Sequence, residues 1–185
     1  MSAETIGKNF PPVVTLDDLA VMNAADQHGH RYELSPEGVL FVMPPPDTEH
    51  AAIASRLHVW LAMAGWPAEQ ILEAVGLRIL GAGGVGGRIP DLTLWKRPLG
   101  RSVWAGLGDL LLVVEVISPG SASLDEVIKV REYASAGILR YWVVDRDSAQ
   151  TVSMYVLRDD ETYEKVAAMP LAWLLQTNPA EHLDR

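Results

Sequence analysis

Cysteine is absent from all 185 residues, so neither a disulfide framework nor a thiolate-ligated zinc site is open to this chain. Long apolar runs are missing as well. The apolar run Leu110–Val114, which ends at Glu115, is far short of the ~20 residues a spanning helix needs. Met1 to Pro12 is polar and unlike a signal peptide. Together these absences lead to the expectation of a soluble, cytoplasmic protein with no membrane partner. Positive charge is scarce: 15 Lys and Arg against 24 Asp and Glu leave a net charge of −9. That argues against a general nucleic-acid binder, because duplex affinity rests on neutralising phosphates. There is no internal repeat, P-loop, Ser–His–Asp set or paired-histidine zinc motif. Gly81, Gly83 and Gly86 spell GxGxxG, but Arg88-Ile89-Pro90 and a strand follow. A dinucleotide fingerprint needs a helix opening there to hold pyrophosphate. The glycines read instead as a mobile loop over a site.

What is present predicts one α/β (α+β) domain over residues 1–185, long enough to bury a core without staples. A short helix is expected over Leu16–Ala25, capped by Thr15. Arg31–Leu34 and Val39–Met43 read as a hairpin ended by Pro44-Pro45-Pro46. Ile53, Leu57, Trp60, Leu61 and Ala64 recur at helical spacing, which predicts a helix over Glu49–Ala64 with Thr48 as cap. Leu72–Leu80 alternates as one strand. A glycine-rich turn over Gly81–Gly87 and a strand over Ile89–Trp95 follow. Leu110–Ile117, LLLVVEVI, has the composition of a central strand buried on both faces. A helix over Leu124–Ala136 follows, with Ser123 and Glu126 as a capping box and Gly137 as its stop. Tyr141–Val144 and Thr151–Leu157 complete a mixed central sheet flanked by helices. Strand, helix, strand over Leu110–Val144 implies a parallel crossover.

Glu115 is the chemical anomaly. An ionised carboxylate inside a valine and leucine strand is costly unless paired or metal-bound. The plain alternative is a strand-end Glu in solvent. Asp91, after Pro90 at the start of a strand, is the second carboxylate; Pro-Asp is also a common turn dipeptide. Two carboxylates at the ends of adjacent strands can hold a hard cation through oxygen. On the following helix Asp125, Lys129 and Tyr133 share a face. Lys129 can reach back over the end of the Glu115 strand, or simply pair with Asp125. Arg78, Arg88, Lys96, Arg97 and Arg101 cluster around the single acid Asp91. They read as a solvated basic loop or, more sharply, as a phosphate-contacting rim. Glu33 reads as a hairpin-edge acid. His50 and Trp142 read as structural, and Ser118 as a partner for Asp125 or a cap for the crossover.

In order along the chain stand Arg31-Tyr32-Glu33-Leu34, Val42-Met43-Pro44-Pro45-Pro46, His50 and Pro90-Asp91. Val114-Glu115-Val116-Ile117-Ser118-Pro119, the Asp125/Lys129/Tyr133 helix and Tyr141-Trp142-Val143-Val144-Asp145 follow. This ordered set resembles the Uma2 (DUF820) family within the PD-(D/E)xK nuclease superfamily. The resemblance implies a restriction-endonuclease-like core. It also implies Mg²⁺ (or Mn²⁺) held by Asp91, Glu115 and a backbone carbonyl at Val116, with Glu33 as an outer ligand. Asp91, Glu115 and Lys129 would be the catalytic residues, acting on the phosphodiester bonds of a nucleic acid, DNA in the first instance. The superfamily's lysine stands two residues after the acid; here that position is Ile117, and the resemblance passes the role to Lys129. The competing expectation is a non-catalytic interaction or scaffold domain that retains the fold, which the acidic charge and the displaced lysine favour. A homodimer is expected, since two-fold assembly suits duplex cleavage. Leu171–Leu175 and the hairpin near Tyr155 would supply the patch.

Overall fold

The protein is described here from a computed structural model over residues 13–118 and 124–183, with backbone only for residues 124–126. In chain order the elements are α1 (Leu16–Ala25), β1 (Arg31–Leu34), β2 (Leu40–Met43), α2 (Thr48–Met63), β3 (Ile71–Glu73), β4 (Gly76–Gly81), β5 (Gly84–Arg88) and β6 (Leu92–Trp95). Then come β7 (Trp104–Ala105), β8 (Leu110–Val116), α3 (Leu124–Ser135), β9 (Arg140–Val144), β10 (Thr151–Leu157), β11 (Tyr163–Pro170), α4 (Leu171–Leu174) and α5 (Ala180–Leu183).

The fold is mixed α/β with helices flanking mixed sheet, as expected, and its strands form two mixed sheets. One runs β2-β1-β5-β4-β7 and the other β11-β10-β9-β8-β6-β3. In the larger sheet β8 lies between antiparallel β6 and parallel β9, as the LLLVVEV composition and the crossover through α3 require. Its residues alternate between two cores. Leu112, Val114 and Val116 pack with Ile53, Leu57, Trp60 and Leu61 of α2. Val113 faces the other side, with Tyr133 of α3, Tyr141 and Val143 of β9, and Leu77 and Ile79 of the smaller sheet. By that alternation Glu115 belongs to the second side, where α3 and the smaller sheet close over it.

Local chemistry sets the ends of the elements. Thr15 and Asp18 form a reciprocal capping box on α1. The cap of α2 is Asp47, whose Oδ1 accepts from the His50 N–H, and not Thr48. Gly137 follows α3 at φ 79°, the left-handed stop foreseen. The proposed capping box of Ser123 and Glu126 lies outside the described residues and side chains.

Two further expectations are corrected. Leu72–Leu80 is two strands in different sheets, because Ala74 adopts φ 52° and turns the chain between them. The Gly81–Gly87 segment is not a loop over the site; Gly84–Arg88 is a strand of the smaller sheet, paired with β4. It is glycine-rich because β1 passes very close: a Cβ on Gly86 would stand 2.6 Å from the Leu34 carbonyl oxygen. The apolar tail is only partly at the surface, where Ala172 and Trp173 are exposed. Leu171 and Leu174 are fully buried, and Trp173 is 67% exposed.

Candidate active site

The register of the larger sheet brings the two carboxylates together. Leu92 pairs with Val114, so one residue further along the antiparallel ladder sets Asp91 opposite Glu115 on the same face. Pro90 precedes Asp91 and keeps the ladder from starting earlier. The other site residues come from separate elements. Arg31 and Glu33 lie two apart on β1 and share a face. His50 sits in the first turn of α2. Lys129, Glu132 and Tyr133 line one face of α3 at i, i+3 and i+4. Arg88 ends β5.

Asp91 Oδ2 accepts from the Val116 N–H at 2.8 Å and lies 3.0 Å from His50 Nε2. Its Oδ1 accepts from Arg31 Nη1 at 3.1 Å. Glu115 Oε1 accepts from the Tyr133 hydroxyl at 2.7 Å and from Lys129 Nζ at 3.1 Å. Lys129 also stands 3.4 Å from Glu33 Oε2, so it links the two acids. Glu33 accepts from Arg88 Nη1 at 3.1 Å and from the Ile89 N–H at 3.0 Å. Arg88 in turn makes a fork to Glu132 with both bonds at 2.7 Å. Asp91, Glu115, Lys129 and Glu33, proposed from sequence, are thus all buried and line one cleft; Lys129 joins Glu115 to Glu33, while Asp91 is held by Arg31, His50 and the Val116 N–H. A solvent position for Glu33 or Glu115 is ruled out.

Burial governs the titration of these groups. It pushes the Glu115 carboxyl up, and although Lys129 opposes, the charges of Asp91 and Glu33 add to the rise, which reaches about 7. Burial also pushes Asp91 up, but the His50 hydrogen bond and charge, the Val116 N–H and Arg31 outweigh it and hold the carboxyl below its ordinary value. For Lys129, burial works against the charged form; Glu115 and Glu33 overcome it and raise the ammonium above its usual range. Glu115 also raises Tyr133, after burial itself. Asp91 therefore stays ionised while the facing Glu115 titrates near neutrality.

Asp91, Glu115, Lys129, Arg31, Glu33 and His50 line one cleft of about 60 Å³, walled by Met43, Pro44, Ile89 and Ile117. Among the described residues no three His, Asp or Glu side chains stand so as to hold an ion by themselves. The donor set still fits Mg²⁺ or Mn²⁺. Magnesium keeps several waters and takes one or two carboxylates, and both bonds to Glu115 fall on Oε1. Oε2 is left without a donor among the described residues.

The basic segment does not form a rim. Arg88 is 1% exposed and faces inward; Arg97 pairs with Asp109 at the surface. Sequence reasoning missed four members of the site: His50, read as structural, and Arg31, Arg88 and Glu132. Trp142 is core, as expected. The Asp125 side chain lies outside those described.

No curated protein matches the chain. Among solved structures, it is similar to a protein from Anabaena variabilis ATCC 29413 described as "a putative nuclease belonging to DUF820". The identity is 20%, over 82% of this chain and 83% of that one, with a TM-score of 0.57, which is a likeness of fold. Among the described residues no helix is long and apolar enough to cross a membrane. The Uma2 family, described as "Putative restriction endonuclease", matches residues 16–183, and with that span covered the chain belongs to the Uma2 family.

Proposed function

We propose that the protein is a metal-dependent nuclease that hydrolyses phosphodiester bonds, with DNA as the first substrate to test. One observation carries the reading: Asp91 and Glu115 meet in one buried cleft, with the Lys129 ammonium against Glu115. Asp91, Glu115 and the Val116 carbonyl would hold Mg²⁺ or Mn²⁺. The ion would polarise the scissile phosphate and lower the pKa of the attacking water. The chain's own residues do the rest. The Val116 N–H fixes Asp91 in place. Glu115, whose carboxyl titrates near neutrality, would be held in its ionised form beside the ion. Lys129 stays charged because Glu33 and Glu115 flank it, and it offers N–H donors where negative charge builds on the phosphate. Glu33 acts at one remove, orienting Lys129.

The scaffold reading keeps one observation in its favour. Both oxygens of Asp91 already have cationic or N–H partners, Arg31, His50 and Val116. A site that had lost its metal would be closed in this way. A cleavage panel over single- and double-stranded DNA and RNA, with and without Mg²⁺, separates the two. Metal-dependent cleavage is expected from wild type and none from Asp91→Ala. Lys129→Met is expected to lose activity while calorimetry still reads Mn²⁺ binding. Wild type inert on all four substrates would leave the scaffold. A two-fold dimer for duplex cleavage is part of this proposal, with exposed Trp173 as its anchor. Sedimentation as a monomer at high concentration would remove the dimer alone.

A further inference from the structure

Arg88, Lys129 and Arg31 face the buried carboxylates, and the first two are each held by a pair of acids. Arg88, 1% exposed, is bound to Glu33 and Glu132. Lys129, 9% exposed, is held between Glu115 and Glu33. Arg31 differs. Its side chain is 23% exposed and lines the cleft. Among the described residues it makes one bond, from Nη1 to Asp91 Oδ1. A guanidinium carries five N–H donors in a planar fork that matches phosphate oxygens. Most of that fork is therefore unused.

The charge in the cleft calls for such a residue. An anionic phosphodiester approaching Glu33, Asp91 and Glu115 meets repulsion unless a cation receives it. Arg31 and Lys129 are the arginine and lysine that line the cleft, with His50 on Asp91 Oδ2, and Lys129 is already shared by two acids. Arg31 also blocks the oxygen a metal would need, since Asp91 Oδ1 cannot serve a guanidinium and an ion well at once. We infer that Arg31 alternates between two anions: it holds Asp91 while the cleft lacks metal, and binds the substrate's phosphodiester oxygen once a divalent cation replaces it on Asp91. The inference rests on the nuclease reading above and adds a substrate-binding residue to it.

Its signature is a pair of effects of opposite sign. Removing Arg31 takes away a competitor for the metal and a donor for the phosphate. Calorimetry with Mn²⁺ alone measures the first. Anisotropy of a labelled oligodeoxynucleotide, single-stranded and duplex, across a salt series measures the second, with Ca²⁺ in place of Mg²⁺ and a gel confirming that the strand is intact. Arg31→Ala is expected to bind Mn²⁺ about fivefold tighter and the oligonucleotide about tenfold weaker. The slope of log K against log salt should fall by about one, the mark of a lost phosphate contact. Arg31→Gln, which keeps most of the side chain's bulk, should behave alike, and Arg31→Lys should restore the slope. An arginine that merely braced β1 would leave that slope unchanged. Wild type that binds Mn²⁺, with Arg31→Ala and Arg31→Gln no tighter or with an unaltered slope, overturns the role of Arg31 alone. Wild type that binds no Mn²⁺ overturns the nuclease reading and this inference with it.

Discussion

Glu115 shows how a single residue ties stability to function. Burial, with Asp91 and Glu33 nearby, moves its carboxyl from 4.5 to about 7. The native state thus binds this proton more tightly than the unfolded chain does. Its contribution to stability is full below pH 4.5 and is lost as pH rises through 7. That span corresponds to roughly 3 kcal/mol. Asp91 has the opposite sign: held below 3.8, it contributes stability above that value, lost only at more acid pH. Glu115→Gln is therefore expected to flatten the pH dependence of the urea midpoint between 4.5 and 7, and to exceed wild type above pH 7 without metal. A mutant that keeps the wild-type slope would place the titration elsewhere. The same proton competes with a cation, so Mn²⁺ affinity should fall about tenfold per pH unit below 7. Glu115 was legible because a carboxylate in LLLVVEVI has no cheap place to go. Arg31 and Arg88 were not, because their partners Asp91 and Glu132 are 60 and 44 residues away. Nothing local distinguishes a buried arginine from a solvated one at a strand end.

At the scale of elements, the site is a junction between two sheets and a helix, and Arg88 is the fastener. It joins β5 to α3 through Glu132 and to β1 through Glu33. Arg88→Met would leave two buried carboxylates short of their cation, a change that costs about 3–5 kcal/mol. In a chain of this size that lowers Tm by roughly 10 °C. The double variant Arg88→Met, Glu132→Leu should recover much of the loss, because an apolar pair can replace a buried ion pair. Thermal melts of the three proteins check this; a double variant no better than the single one would mean that packing, not charge, is at stake. The helices and β8 were legible because caps, periodicity and a long apolar run are local signals. The break at Ala74 was not, because Val75, Leu77 and Ile79 continue the alternation across a turn whose positive-φ residue is an alanine rather than a glycine. Strand β5, GVGGR, has no strand propensity of its own. It is a strand because β1 and β4 enclose it and only glycine fits beside Leu34. Reading Gly81–Gly87 as a loop followed from its composition, and the place of this strand in the smaller sheet was lost with it.

For the whole molecule, the buried network gives a readout that needs no substrate. The chain carries −9 overall, and Glu33, Asp91, Glu115 and Glu132 are buried about the cleft. Arg88, Lys129 and Arg31 offset three of these four carboxylates, and the Glu115 carboxyl, raised to about 7, is the one that titrates near neutrality. A divalent cation that binds the native state alone must raise stability by mass action, by about 2.7 kcal/mol at a hundredfold excess over Kd. For a protein of this length that is a rise in Tm of roughly 5–10 °C. Asp91→Ala should remove the rise, since it deletes the carboxylate that stays ionised. Glu115→Gln should reduce it, leaving one carboxylate and the Val116 carbonyl. The rise in wild type should shrink as pH falls from 7, where protons return to Glu115, and should persist above 7. A scaffold closed by Arg31 and His50 over Asp91 would melt alike with and without metal at every pH. Melting scans of the wild type and both variants with Mn²⁺, at one pH above 7 and one below, therefore decide between a metal site and a structural ion-pair network. An equal response from all three proteins would mean that any metal effect arises elsewhere on this acidic surface.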